Sequence, residues 1–368
     1  RERIAFVSSA YWDLTATFDP GAFQARLASV AGRRVATGKD FNDRGNLTTG
    51  DAVLLDETAA ADLATALRGS EYRVLSVKEK PAKRSPYAPF MTSTLQQEAS
   101  RRFRWNAQRT MRVAQGLYER GYITYMRTDS TTLSEQAITA ARKQAAELFG
   151  ANHVAQAPRR YDRKVKNAQE AHEAIRPSGD SFRTPDQVRG ELSADEAALY
   201  DLVWKRTIAS QMADAQLATT TVLIGARASD GRDVEFTASG TVTLFAGFRA
   251  AYEDTRDDDS GDDSEGVLPV LREGQDVTLL DLGADSHATK PPARFTEASL
   301  TARLEELGIG RPSTYAAIMG TIVDRGYVWK KGSALIPSFL AFAVIRLLEE
   351  HFTELVDYNF TARMEEEL

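Results

Sequence analysis

The sequence predicts a multi-domain fold of mixed α and β character: a β-rich domain interrupted by a mainly helical one and followed by a helix-turn-helix-like helical domain. Three observations carry this expectation. At 368 residues the chain is longer than one ordinary hydrophobic core organises. Strand-like segments lie on both sides of a region with helical periodicity, and past residue 296 short helices recur between glycine-marked turns. The boundaries drawn from these changes are 1–85 plus 214–290 for the β-rich domain, 86–213 for the helical insertion, and 291–368 for the last domain, which reads as incomplete. Insertion of one domain into another is tolerated where the inserted termini lie close together at a surface.

Taken in order, Ile4 to Val7, Tyr11 to Phe18, Gln24 to Val30 and Tyr72 to Lys78 carry β-branched or aromatic residues, partly in alternation, punctuated by Gly21, Gly32 and Gly38. Alanine-rich Thr58 to Leu67 is the one helix predicted before Lys80, and the basic, proline-containing stretch Lys80 to Pro89 reads as a boundary. Thr92 to Phe103 sets Leu95, Ala99 and Phe103 four residues apart on one helical face, and Thr110 to Arg120 is closed by Gly121. A short strand-like piece, Tyr122 to Tyr125, precedes helices at Ser134 to Phe149 and Ser193 to Ala213. No periodicity survives between Gly150 and Asn167, which reads as a long loop. Strand character returns at Ala218 to Ile224, Val234 to Ala238, Thr241 to Phe245 and Val277 to Leu282. Thr296 can cap a helix bearing Leu300, Leu304 and Leu307, ended by Gly308. Gly310-Arg311-Pro312-Ser313 turns the chain into a helix from Thr314 to Arg325, and Tyr327 to Ile336 suits a small β wing.

Composition narrows the function classes. With no cysteine there is no disulfide and no thiolate metal site, and four scattered histidines make a His-based zinc site a poor fit. No apolar run is long enough to span a membrane, and nothing resembles a signal peptide, so a cytoplasmic protein is expected. Arg1 stands where a start methionine would, and the last helix stops inside a charged run, so both ends read as boundaries within a longer protein. The net charge of −6 is a misleading average, because eight carboxylates crowd between Glu253 and Glu265 against Arg256 alone. Elsewhere acids and bases nearly balance, and two stretches are locally basic: Lys78 to Arg104, which includes Arg101, and Arg159 to Arg176.

The window Gly121-Tyr122-Ile123-Thr124-Tyr125-Met126-Arg127-Thr128-Asp129-Ser130 offers a phenol, a guanidinium two residues away, and a cluster of hydroxyls with a carboxylate. If this stretch is extended, Tyr125 and Arg127 share a face, and Tyr122 lies on the other. A tyrosine oxygen can attack phosphorus to give a phosphotyrosine ester, which conserves the energy of the broken backbone bond. A neighbouring arginine can hold equatorial phosphate oxygens with paired donors, and its charge favours a nucleophilic phenolate. Alone, a Tyr-x-Arg pair is more often an amphipathic core residue beside a surface cation. Asp129 with Ser130 equally serves as a helix-capping turn. His172, in Ala171-His172-Glu173-Ala174-Ile175-Arg176-Pro177, suits holding a phosphate oxygen or relaying a proton, and Arg176 suits clamping another phosphate, although a lone histidine is as often structural. Lys290 and Arg294 flank a proline-stiffened lead into a helix N-terminus, and Arg311 sits in the tight inter-helical turn. Backbone-phosphate contact suits all three, as does a solvated domain boundary.

Together these windows resemble the type IA DNA topoisomerases, nearest their bacterial topoisomerase I branch. The matching text is Pro89-Phe90-Met91-Thr92-Ser93-Thr94-Leu95-Gln96-Gln97-Glu98-Ala99, the 121–130 window, residues 168–177, and 289–299 continuing through Gly308-Ile309-Gly310-Arg311-Pro312-Ser313-Thr314-Tyr315-Ala316. Met126 before Arg127 leans toward topoisomerase I rather than topoisomerase III. The resemblance implies a torus of four domains, a β-rich arch corresponding to the interrupted domain, and a DNA gate corresponding to 291–368. It implies a monomer acting on DNA, particularly single strands, in the bacterial cytoplasm at the nucleoid. Negatively supercoiled DNA would be relaxed by cutting one strand through a 5′-phosphotyrosine, passing another and resealing, without ATP. Tyr125 takes the nucleophile's place, Arg127 the phosphate-stabilising role and His172 an assisting role, with Gln96, Arg101, Arg176, Lys290, Arg294 and Arg311 as DNA contacts.

One departure bears on activity. The family's N-terminal Toprim domain supplies a glutamate and an Asp-x-Asp-x-Glu cluster that binds Mg2+, and nothing in this chain replaces it. Asp257-Asp258-Asp259 and Asp263-Ser264-Glu265 have superficially similar spacing, but no apolar strand precedes them to fix their geometry. No metal or other cofactor is therefore expected within this fragment, which alone should bind single-stranded DNA with little or no relaxation. The alternatives are a non-catalytic DNA-binding or scaffolding module of the same fold and, more distantly, a tyrosine recombinase.

Overall fold

The computed structural model describes residues 2–161, 173–252 and 268–367. The chain divides into two compact units. The first comprises Arg1–Lys83, Gln216–Phe245 and Gly261–Ala293, and the second Arg84–Ala215, Ala246–Ser260 and Arg294–Leu368.

The first unit is built on one antiparallel sheet. After a short helix α1 (Glu2–Ala5) come β1 (Ala10–Asp19), β2 (Phe23–Val30), β3 (Arg33–Arg34), helix α2 (Glu57–Leu67), β4 (Tyr72–Arg84), β5 (Ala215–Arg227), β6 (Asp233–Phe245) and β7 (Asp276–Ala288). The strand order is β1-β7-β4-β5-β6-β2-β3, and β1 also pairs with β2, so the sheet closes on itself. Alternation selects the inner face. Leu14, Ala16 and Phe18 of β1 are fully buried, and across the β5–β6 ladder the directly opposed pairs Val222↔Ala238 and Ile224↔Phe236 all face the core. Leu63 and Leu67 of α2 pack into the same core, and Asp56 caps that helix by accepting from Ala59 N.

Three strand expectations change here. Residues 4–7 are not a strand: Ile4 belongs to α1, and Ile4 and Val7 are largely exposed, because no neighbouring strand takes up their backbone groups. Residues 234–245 are one strand rather than two, since Ser239 and Gly240 stay paired with Thr221 and Thr220. The predicted boundary at Lys80 lies inside β4, which runs through Pro81 to Arg84. Its pairing with β7 involves Tyr72 and Arg73, so Pro81 breaks no ladder bond on that flank.

The second unit gathers α3 (Thr92–Phe103), α4 (Ala107–Glu119), α5 (Glu135–Phe149), the short α6 (Pro185–Val188) and α7 (Ala194–Ser210) around one core. Leu95 and Ala99 of α3, Ala114 and Leu117 of α4, Ile138 and Ala141 of α5, and Leu199 and Val203 of α7 meet there. Side chains of Asn106, Ser134 and Ser193 cap α4, α5 and α7. The C-terminal region adds α8 (Glu297–Leu307), α9 (Tyr315–Asp324), a hairpin of β8 (Val328–Lys331) and β9 (Ala334–Pro337), α10 (Phe339–His351) and α11 (Tyr358–Glu367). It falls in the same unit as the other helices because α8 packs on α3 and α9 on α4. Glu297 ties the two parts further: its Oε2 accepts from Ala107 N at the start of α4 (2.8 Å), and it pairs with Lys330 of the hairpin.

Candidate functional site

The Tyr125 segment is held by hydrogen bonds on two sides although it forms no strand of its own. Gly121, with φ +76°, ends α4 in a left-handed turn, and Tyr122 N then donates to Leu117 O at 2.8 Å. Beyond it Ile123 makes a single antiparallel bridge with Pro177. Thr124 N donates to Arg176 O (2.9 Å), Thr124 Oγ1 donates to Ala174 O (2.8 Å), and the same hydroxyl accepts from Arg176 N (2.9 Å). On the other side, buried Thr92 at the start of α3 donates from Oγ1 to Met126 O (2.7 Å) and accepts from Thr128 N (2.9 Å). Both ends of the four-residue span 124–127 are therefore tied to neighbouring backbone.

Exposure alternates along that span. Ile123, Met126 and Thr128 are buried, whereas Tyr125 is 40% exposed and Arg127 is exposed. The Tyr125 ring packs edge to face on Tyr118 of α4, with centroids 5.2 Å apart. Arg127 makes no hydrogen bond or ion pair among the described residues, which leaves its donors available to an anion.

Tyr122 differs in kind. Its hydroxyl donates to Glu191 Oε2 at 2.5 Å, and the guanidinium groups of Arg120 and Arg183 lie over its ring at 5.1 and 5.9 Å. The hydrogen bond to Glu191 raises the Tyr122 phenol above its ordinary value of 10.0. Charged neighbours thus hold Tyr122 through both its hydroxyl and its ring.

A cavity of about 790 Å³ opens beside the segment, lined by Ser93, Thr128 and Asp129 on one side and by Arg311, Tyr315 and Arg363 on the other. Gly310, with φ +83°, shapes the far wall: a Cβ there would meet Tyr315 Cε1 at 2.8 Å. Burial pushes the Tyr315 phenol up to about 12.

The remaining expected site residues fall into three groups. Lys290 and Arg294 are exposed, and Arg101 is half-buried on α3. Arg311 is engaged within its own turn, donating to Gly310 O (2.9 Å) and Glu365 O (2.6 Å) while pairing with the Glu365 carboxylate. Arg176 and Gln96 are buried, at 9% and 2% exposure, so neither is placed to meet a DNA strand in this conformation. Arg176 has turned inward because Glu173 and the carbonyls of Pro177 and Gly179 take its donors. His172, Arg163, Lys164, Lys166 and the acidic tract 253–267 lie outside the described residues.

Sequence reasoning quoted Thr92 within a motif without giving it a role, and it passed over Tyr118. A threonine opening a helix is an ordinary N-terminal signal, and an aromatic seven residues before Tyr125 carries no signal until the turn at Gly121 is known. Among the described residues no three His, Cys, Asp or Glu side chains gather where they could hold a metal ion. Nor is any described helix long and apolar enough to cross a membrane.

Comparison with known proteins follows the same lines. A family model described as DNA topoisomerase matches residues 1–368. The chain is 59% identical to DNA topoisomerase 1 of Mycolicibacterium smegmatis and 59% identical to that of Streptomyces coelicolor, with all of this chain covered in each case. It spans 41% and 40% of those proteins' own lengths. Among solved structures it is similar to full-length topoisomerase I of Thermotoga maritima, with a TM-score of 0.78 at 32% identity, covering all of this chain and 56% of that one.

Proposed function

Because the chain belongs to the bacterial DNA topoisomerase family, in its type IA branch, we propose that it carries the strand-cutting tyrosine of an enzyme that relaxes negatively supercoiled DNA without ATP. In this reading the Tyr125 phenol oxygen attacks a backbone phosphorus of a single strand. The P–O3′ bond breaks, the 5′ phosphate stays on the tyrosine, and the leaving 3′ oxygen takes up a proton; religation is the reverse. Arg127 neutralises the non-bridging oxygens as charge shifts in the transition state. His172 assists at the same phosphate, a role resting on the sequence resemblance alone. Lys290, Arg294, Arg101 and Arg311 hold backbone phosphates, Arg311 after exchanging its contacts with Glu365. Gln96 and Arg176 reach DNA only after their surroundings rearrange, and until then Arg176 keeps the 173–179 loop in the shape that holds Thr124.

The observation that carries the reading is one clamped segment presenting an exposed phenol beside the exposed Arg127 guanidinium, which makes no hydrogen bond or ion pair among the described residues. Magnesium, in this proposal, serves the longer protein through carboxylates outside the chain, and no step above runs through it. The protein acts as a monomer on single-stranded regions of DNA at the bacterial nucleoid, and this segment alone binds single-stranded DNA with little or no relaxation. The test is to incubate the intact protein with an end-labelled single-stranded oligonucleotide and look for a covalent band after denaturation. The parent should form it and Tyr125→Phe should not; an adduct that survives Tyr125→Phe assigns the nucleophile elsewhere.

A further inference from the structure

We propose that Tyr118 is a positioning residue for the strand-cutting step, its ring setting the orientation of the Tyr125 phenol; the inference rests on Tyr125 being the nucleophile. The turn after α4 brings the two together. Gly121 N donates to Tyr118 O (2.9 Å) and Tyr122 N to Leu117 O (2.8 Å), which folds the following segment back along the last helical turn. The rings at 118 and 125 then meet with centroids 5.2 Å apart and planes at 68°. That is the edge-to-face arrangement in which one ring's positive rim lies against the other's negative face.

Core packing does not account for Tyr118. It is 41% exposed and stands outside the hydrophobic core of its unit, whereas Leu117 beside it is fully buried in that core. With Thr124 and Thr92 tying the backbone on both sides of Tyr125, the freedom that matters for attack is rotation of the tyrosine side chain. A phenol 40% open to solvent samples several rotamers unless something on its flank selects among them. Tyr122 is steadied by Glu191, Arg120 and Arg183, a charged setting that engages its hydroxyl. The Tyr118 ring steadies Tyr125 from its aromatic flank.

The test compares Tyr118→Ala and Tyr118→Phe with the parent in the intact protein. It reads the single-turnover rate of covalent adduct formation on a single-stranded oligonucleotide, the affinity for that oligonucleotide in a Tyr125→Phe background, and the melting temperature. Tyr118→Ala should slow adduct formation roughly ten- to hundredfold, the scale expected for a misoriented nucleophile, with affinity within about twofold and melting unchanged. Tyr118→Phe should keep most of the rate because the ring remains. An unchanged rate in Tyr118→Ala overturns the inference while leaving Tyr125 as nucleophile. A loss of affinity as large as the loss of rate overturns it in favour of a base-stacking platform, and a Tyr118→Phe as slow as Tyr118→Ala overturns it in favour of the hydroxyl. If the parent forms no adduct, or Tyr125→Phe still does, the reading of Tyr125 itself has failed.

Discussion

Glu191 shows how a single carboxylate can organise a surface. Its hydrogen bonds from Arg183 and then Tyr122 hold its carboxyl well below the ordinary 4.5, at about 2. A depressed carboxyl stabilises the fold above its unfolded value, and that contribution is lost as pH falls from about 4.5 toward 2. Glu191→Gln should therefore lower the melting temperature modestly at neutral pH, the pair being solvent-exposed, and the parent and variant profiles should converge as pH falls from about 4.5 toward 2. None of this was legible in the sequence, because Glu191 and Tyr122 are far apart along the chain and meet only when the helical unit folds. The exposure of Tyr125 and Arg127 on either side of buried Met126 was legible, since two polar groups flank an apolar residue within one short window. Arg176 and Gln96 were legible as members of motifs but not in their orientation, which depends on Glu173 and on burial along α3.

At the scale of elements, helix starts were readable where a Ser or Thr preceded an apolar periodicity, as at Ser134, Ser193 and Thr296, whereas the helix read from Thr58 starts one residue earlier, after its Asp56 cap. Strand ends were not, because β4 runs on through Pro81 and β6 through Gly240, which the ladder with β5 keeps paired with Thr220. The turn between α8 and α9 combines both kinds of information. Gly308 and Gly310 were read as punctuation, and both adopt positive φ, but the close approach of the Tyr315 ring to Gly310 emerges only from packing. Gly310→Ala combines a left-handed backbone with a Cβ 2.8 Å from that ring, so a loss of about 1–3 kcal/mol is expected. Urea denaturation of the variant checks this, and a loss below about 0.5 kcal/mol would mean that the turn relaxes freely.

For the whole molecule, the β segments on either side of the helical region announced a discontinuous domain. What they left open was how many cores the chain builds. The two clusters of buried side chains share no residue, one within each unit. Truncating Leu63 should therefore destabilise the β-rich unit and truncating Leu199 the helical unit, each by about 2–5 kcal/mol. In scanning calorimetry each leucine-to-alanine change should lower one transition and leave the other in place; a single transition shifted by both would show that the units melt together. The C-terminal region was expected as a domain of its own. Its contacts with α3 and α4 join it to the helical unit, and periodicity cannot reveal that, because it does not say which helix an apolar stripe will meet.

The pairing of β1 with both β7 and β2 has a further effect. A sheet that ends in two open margins invites an outside strand to dock along them, and such docking is how many β proteins begin to clump. Here β1 is paired on both sides, and the flank of β4 past Arg73 that β7 does not take up carries Lys78, Lys80, Pro81, Lys83 and Arg84, residues that discourage an outside strand. Crowding at high protein concentration should thus not drive this unit into strand-swapped or fibrillar assemblies.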